Sequence, residues 1–576
     1  MGLRLKDGNK AQCTTHNIAN KGFSGMRSFV ARFKVSCTLI GKKPAIPYWP
    51  YCKTLPFIKI HMINLQSLII LFVLTFSSLA NAQPSKNDLV VNLKIAKGIR
   101  DAVKTEGRLF IFLSQNPEVE PRTQLAPFPW SIAHIFARNF SDISIQNGIQ
   151  LDESTTWTKT PEWSLQSIPD NEYYIQALWD QNNSESQINV PGNLHSTKQK
   201  IVLNGKTEIK IIIDQIIPER EQIADELTRF IDFESDTLSK WWNKPMTLKA
   251  SVLLPSGYNS NSEYAIRYNV AGYGGRYDRI NKLLNDEKFM DWWKSDDSPQ
   301  VINVFLDGEG PFGDSYQMDS ENSGPYGYAL INELIPHIES KFRGTNKSST
   351  RFVDGCSTGG WVSLGLQLFY PDEFNGVFSY SPDALEFENY QLINIYKDKN
   401  AFYNEFGYLR PVARFTDGEP MLSLKKFIAY ENVLGSSGTY LNSGGQFSAH
   451  TALYSPKGKD DLPMPLFNPI TGEIDSLVAE HWKKYDFKKY LSKNWETLGP
   501  KLHDKIYVWM GDMDHFYLNV ATRKFAEIIE SMENPKSDAE IEFSAMEGHC
   551  SQFSHRAVLE KIQERLNEIK KTNGNK

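Results

Sequence analysis

The chain has 576 residues, 40% hydrophobic and 23% charged, which is a globular composition too long for one ordinary core, so two folded domains with extensions are expected. Of its 63 Lys and Arg and 68 Asp and Glu, residues 1–82 hold 11 and one, leaving 52 against 67. The resulting net charge of −15 over the remainder argues against nucleic acid as a partner.

Residues 1–61 are basic and without pattern, and read as an upstream extension or a mis-assigned start. Residues 68–76 are an apolar run too short to span a bilayer comfortably, followed by the small-x-small triplet Ala80-Asn81-Ala82. Residues 62–82 therefore read as a signal peptide beginning at Met62, and no stable membrane span is expected after its cleavage. A cytoplasmic tail of a membrane-anchored form or a transit sequence are the alternatives for residues 1–61. Export implies an oxidising compartment, and cleavage removes Cys13, Cys37 and Cys52, leaving Cys356 and Cys550.

From residue 88 to 215 the text is strand-like, with runs at 107–113, 132–137, 173–179, 199–203 and 208–214 separated by turn residues. An all-β, sandwich-like module is expected here, to bind carbohydrate or to brace the neighbouring domain. Residues 216–247 are charged and amphipathic and predict a helical connector. Strand candidates at 248–254, 264–270, 301–306, 350–353, 376–380, 505–510 and 541–546 then alternate with helix candidates at 326–342, 360–370, 518–531 and 555–571. Such alternation predicts a mostly parallel sheet covered on both faces, over residues 248–572. Val558, Ile562, Leu566 and Ile569 recur at helical spacing and give the last helix one face for the sheet. Residues from about 384 to 500 lack this rhythm and are expected to form a cap over an active site.

The chemistry centres on Val353-Asp354-Gly355-Cys356-Ser357-Thr358-Gly359-Gly360-Trp361, an extended segment running through a glycine-flanked serine into an apolar helix. The G-x-S-x-G pattern places a nucleophile on a sharp strand-to-helix turn, where close backbone approach demands small neighbours. A serine hydroxyl needs a histidine base and an acid to orient it, and in the α/β-hydrolase arrangement these come after the serine in the order acid, then His. The strand candidate ending at Met510 opens into Gly511-Asp512-Met513-Asp514, and the next opens into Glu547-Gly548-His549. Asp514 is the first choice for the acid and Asp512 the second. His549 is the expected base, with His515 and His503 read as surface histidines. Oxyanion donors are expected at the backbone N–H groups of Thr358 and of Tyr273, within Ala271-Gly272-Tyr273-Gly274-Gly275. No H-E-x-x-H or paired-ligand spacing is present, so neither a metal nor another cofactor is expected.

Ser251-Val-Leu-Leu-Pro-Ser-Gly-Tyr258, the Gly272–Gly275 loop, Asn332-Glu-Leu-Ile-Pro-His-Ile-Glu339, the serine turn and Tyr370-Pro-Asp-Glu-Phe-Asn-Gly376 together resemble the putative-esterase family related to esterase D and enterochelin esterase. The resemblance covers roughly residues 245–572 and implies an α/β-hydrolase fold with a triad carried onto Ser357, Asp514 and His549. Members often read His-Gly-x-Gly-Gly in the oxyanion loop, where Ala271 replaces the His here. A narrower resemblance links Gly355-Cys356-Ser357-Thr358-Gly359-Gly360 and Gly548-His549-Cys550 to the tannase and fungal feruloyl esterase family. It implies a disulfide between Cys356 and Cys550 and raises phenolic or carbohydrate esters as substrates. Two buried free thiols are the alternative for that pair. The expectation is an exported serine carboxylic-ester hydrolase acting on a small-molecule or polysaccharide-linked ester. Acyl transfer on the same fold, or a non-catalytic carbohydrate-binding surface protein, are the alternatives.

Overall fold

The computed structural model describes residues 87–574 apart from 131 and 144–147, so the expected signal peptide and everything before it lie outside the described residues. Eight strands build the sheet that carries the serine. They are β1 (Thr228–Glu234), β2 (Thr247–Leu253), β3 (Ala265–Val270), β4 (Val301–Leu306), β5 (Arg351–Cys356), β6 (Val377–Tyr380), β7 (Ile506–Gly511) and β8 (Glu540–Ser544), in the order β1-β2-β4-β3-β5-β6-β7-β8. β1 and β2, and β2 and β4, run antiparallel, and every later neighbour is parallel. β3, β4, β6 and β7 are buried along their whole length, as strands covered on both faces must be.

Alternate residues feed two cores. On one face Ile266, Tyr268, Val304, Val353 and Val508 meet the helical segment 326–342, α1 (Thr358–Phe369) and α4 (Phe487–Leu502). On the other, Phe305, Phe352, Tyr380 and Trp509 meet α6 (His555–Gly574) through Val558, Leu559 and Ile562, and a short helix, Glu287–Trp293, through its Trp and Phe side chains. The last helix thus uses the face its spacing predicted. Between β6 and β7 the chain forms a hairpin, helices α2 (Leu424–Leu434) and α3 (Gln446–Tyr454), and then α4. α4 packs on α1, with Phe487 stacked on Trp361 at 4.5 Å, and on α5 (Leu518–Glu530), so it belongs to the sheet's helical layer.

The segment 216–247 differs from the expected helical connector. Residues 217–227 are irregular, and residues 228–234 form β1, paired to β2 over its full length; the only helix in the segment is the seven-residue Asp236–Trp242. Pairing with β2 overrides the helical charge pattern here, and the charges of Arg229, Asp232 and Glu234 sit exposed, as suits an edge strand. Upstream, among the described residues, nine strands between Asp88 and Ile216 pair in one continuous sheet rather than in two separately bonded layers. One face of that sheet gathers Val91, Leu93, Ile111, Ile175 and Trp179 into a core of its own. The opposite face lays Phe110, Phe112, Ile135 and Leu178 on Tyr430, Val433 and Leu434 of α2. All the described residues fall within one compact unit, not two. No helix among them is long and apolar enough to cross a membrane.

Beneath the serine turn lies a buried ion pair. Arg267 on β3 donates from Nε and Nη2 to both oxygens of Asp354 on β5, at 2.7 and 2.6 Å, and both side chains are fully inaccessible. Asn269 donates to the same carboxylate at 3.0 Å, and Arg267 donates to Asn303 at 3.2 Å. Removing one partner of such a pair leaves a bare charge in the interior. Asp354→Ala is expected to destabilise the fold by about 3–5 kcal/mol in urea unfolding, whereas the double replacement Arg267→Met with Asp354→Leu should recover a large part of the loss.

Candidate active site

Ser357 stands between β5 and α1 with φ +62° and ψ −128°, a backbone state that residues with side chains adopt only where the surroundings enforce it. Three glycines allow the close approach. A Cβ on Gly355 would sit 2.7 Å from the Val270 carbonyl oxygen and 2.5 Å from the Gly359 backbone. One on Gly359 would overlap the Val270 and Ala271 carbonyls, and one on Gly360 would lie 2.5 Å from the Tyr380 oxygen. The Ser357 N–H donates to the Tyr380 carbonyl at 3.0 Å, tying the turn to β6.

The two carboxylates after β7 separate by environment. Asp514 is fully buried, accepts N–H bonds from Phe516 at 2.9 Å and Leu518 at 3.2 Å, and accepts the His549 Nδ1–H at 2.6 Å. Asp512 is partly exposed and paired with Arg523. Burial pulls the His549 pKa down, but the charge and hydrogen bond of Asp514 and the charge of Asp383 outweigh it, so the net shift is upward. The ring of Phe516 packs edge-on against His549 at 5.0 Å. A disulfide joins Cys356 to Cys550 with their Cα atoms 6.0 Å apart, so the residues next to Ser357 and His549 are covalently held together. The Cys550 N–H also donates to Ser381 Oγ at 3.0 Å.

His503 is exposed and paired with Asp538, as its sequence context suggested. His515 is not a free surface histidine: it is half-buried, and its Nδ1 accepts the backbone N–H of His549 at 3.3 Å, with burial lowering its pKa. The loop after β3 brings Gly272 against the serine, where a Cβ would lie 3.5 Å from the Cys356 carbonyl and 3.7 Å from Ser357 Cβ. Tyr273 comes next and donates its hydroxyl to the Gly444 carbonyl, between α2 and α3. Thr358 opens α1, and first-turn N–H groups of a helix have no partner within it.

A second buried carboxylate, which sequence pattern alone did not single out, stands beside Thr358. Asp383 accepts hydroxyl bonds from Tyr316 at 2.9 Å and Thr358 at 3.0 Å, and the His450 Nε2–H at 3.3 Å. With Nε2 donating, His450 Nδ1 accepts the Tyr390 hydroxyl at 2.7 Å. Burial pushes the Asp383 carboxyl up, yet His450, Tyr316 and the charge of His549 hold it below the ordinary carboxylate value. Its signal was present: Ser381-Pro382-Asp383 comes directly after β6, at the same carboxyl edge of the sheet that pointed to Asp514. The one group of side chains among the described residues with spacing for a metal ion, His503, Asp504 and Asp538, is exposed and shares no residue with this site.

The model of the family described as "Putative esterase" matches residues 243–572. An acetyl esterase from Caldicellulosiruptor saccharolyticus is 26% identical over 245 residues, covering 40% of this chain and 82% of that protein. Among solved structures, a ferulic acid esterase overlays with 15% identity and a TM-score of 0.38 over 59% of this chain and 96% of its own. An S-formylglutathione hydrolase from Agrobacterium tumefaciens overlays with 12% identity and a TM-score of 0.35 over 60% and 96%. The family match spans more than half of the chain, which therefore belongs to the Putative esterase family and is a serine carboxylic ester hydrolase with an α/β-hydrolase catalytic domain.

Proposed function

We propose that Ser357, His549 and Asp514 form a catalytic triad that hydrolyses esters through an acyl-enzyme. The observation that carries this reading is the 2.6 Å bond from His549 to a fully buried Asp514, on a loop bridged covalently to the residue next to the strained serine. Ser357 Oγ attacks the ester carbonyl carbon while its proton passes to His549 Nε2. Asp514 fixes the tautomer by accepting from Nδ1 and stabilises the imidazolium. The tetrahedral oxyanion lies between the N–H groups of Tyr273 and Thr358. Collapse expels the alcohol, which takes the proton from His549, and water deacylates the serine by the same steps in reverse.

The substrate proposed is a phenolic or carbohydrate ester, in keeping with the Cys-Ser and His-Cys motifs and with a relative named as an acetyl esterase. Export is proposed on the disulfide, which persists in an oxidising compartment, together with the signal-like residues 62–82. Residues 88–215, 216–247 and 248–572 are proposed as an N-terminal β module, a linker that contributes an edge strand, and the catalytic domain with its cap.

A fluorophosphonate probe should label the wild type and leave Ser357→Ala unlabelled; equal labelling of the two would end the triad reading. Asp514→Asn, which favours the wrong histidine tautomer, should lose several orders of magnitude in kcat, while Asp512→Asn loses little. His549 must be unprotonated to act as base, and its pKa is raised above 6.5, so kcat/KM should fall as pH drops through a value above 6.5. Asp383→Asn removes one of the charges that raise it, and should move that acid limb to lower pH in a pH–rate profile.

A further inference from the structure

A cavity of about 280 Å³ opens beside the site, and its walls come from three separate parts of the chain. The catalytic domain supplies Tyr273 and Phe516, α2 supplies Phe427, and loops between strands of the N-terminal sheet supply Phe128 and Ile188. Two contacts place the cavity next to the chemistry. Phe516 packs on the His549 ring, and Tyr273 directly succeeds Gly272, the residue seated against Ser357. Four aromatic rings line it, with Phe128 edge-on to Phe427 at 6.3 Å, alongside Leu434 and the polar side chains of Gln187, Glu431 and Gln446.

The wall supplied by the N-terminal sheet is fixed in place. Ile188 belongs to the core shared with Tyr430, Val433 and Leu434 of α2. Arg108 donates to the Val433 carbonyl at 2.9 Å and Asn139 to the Ser436 carbonyl at 2.7 Å. Ser186 donates from both N–H and hydroxyl to Glu309, in the loop after β4, at 2.8 and 2.9 Å. The N-terminal module is therefore bonded both to the segment around α2 and to the loop after β4. Trp130, stacked on Phe128 at 5.3 Å and 57% exposed, carries the aromatic surface outward.

We infer that this cavity is the acyl pocket and that the loops of the N-terminal sheet, through Phe128 and Ile188, form a specificity-determining wall that selects an uncharged acyl group bearing an aromatic ring over acetyl. The inference rests on the proposed triad. With the ester carbonyl oxygen at the Tyr273 N–H, the substituent on the same carbon lies against the Tyr273 side chain, which lines the cavity. The alcohol has to depart past His549 toward solvent, whereas the acyl group stays bound until water removes it, and so has the greater need of an apolar enclosure.

The test compares p-nitrophenyl benzoate with p-nitrophenyl acetate, which share one alcohol, on the wild type, Phe128→Ala, Ile188→Ala and the milder Phe128→Leu. Phe128→Ala should lose roughly tenfold or more in kcat/KM on the benzoate, chiefly through KM, and stay within about twofold on the acetate. Methyl benzoate should fall in parallel with p-nitrophenyl benzoate, because the acyl group is the same. Equal losses on acetate and benzoate, or losses that track the alcohol, would overturn the inference. Fluorophosphonate labelling of Ser357 in each variant separates the two readings: a wild type that is neither labelled nor active fails the triad, whereas labelled, active variants with unchanged acyl preference fail only the pocket. Phe128→Leu with a wild-type melting temperature guards against a loss that merely reports misfolding.

Discussion

The structure turns on the backbone of Ser357. A non-glycine residue at φ +62°, ψ −128° has to be held there, and the means of holding it reach into most of the catalytic domain. Glycine at 355, 359 and 360 lets β3, β5, β6 and α1 converge until their backbones touch. The Tyr380 carbonyl anchors the Ser357 N–H, so β6 must sit in register beside β5. Three residues upstream, Asp354 is clamped by Arg267 from β3, which fixes the neighbouring strand at the same level. The disulfide extends the constraint across 194 residues to Cys550 and so to the loop of His549. In the chain-entropy model a closure of that length restricts the unfolded chain by on the order of 5 kcal/mol at most.

Around this turn the polar groups divide into two sets with opposite tasks. Asp514, shielded from water and already accepting two backbone N–H groups, can give its remaining capacity to His549 alone. Asp383 binds Thr358 and Tyr316 and is balanced by His450, itself bonded to Tyr390. The first set orients the proposed base. The second fixes the start of α1, whose first N–H is a proposed oxyanion donor, and it joins α3 to that helix through His450. Both carboxylates favour a protonated His549, so the electrostatic field of the site suits the moment at which the imidazolium forms.

How much of this could be read in the residues depends on range. The parallel strands, the helices α1, α5 and α6, and the turns that carry Ser357, Asp514 and His549, the residues of the proposed triad, were legible because each is announced locally, by an apolar run ending in a glycine turn or a polar loop. Cys356 and Cys550 were legible as a pair because each neighbours one of those residues. β1 was not, because its charged text obeys the helix pattern and only pairing with β2 makes it a strand. Asp383 lay in plain view after β6, but its importance depends on Tyr316, Tyr390 and His450, which arrive from three distant loops and helices. The loop proposed to supply an oxyanion donor was visible by its glycines, although only the fold shows Gly272 seated against the serine.

The N-terminal sheet is where sequence reading has least purchase, since nothing in its alternating strands says what its outer face will meet. In the structure that face is apolar and carries Phe110, Phe112, Ile135 and Leu178, which would be costly to expose in a separate domain. Its natural complement is α2, an insertion helix whose Tyr430, Val433 and Leu434 have the same need. Each therefore completes the burial of the other, and α2 is stabilised by a sheet that lies upstream of it by more than two hundred residues in the chain. Because α2 also holds Phe427 at the cavity, the position of that wall depends on the packing of α2 against the sheet. With this cavity proposed as the acyl pocket, substrate preference can change through the sheet–helix interface while the strained serine turn, with its demanding geometry, is left untouched.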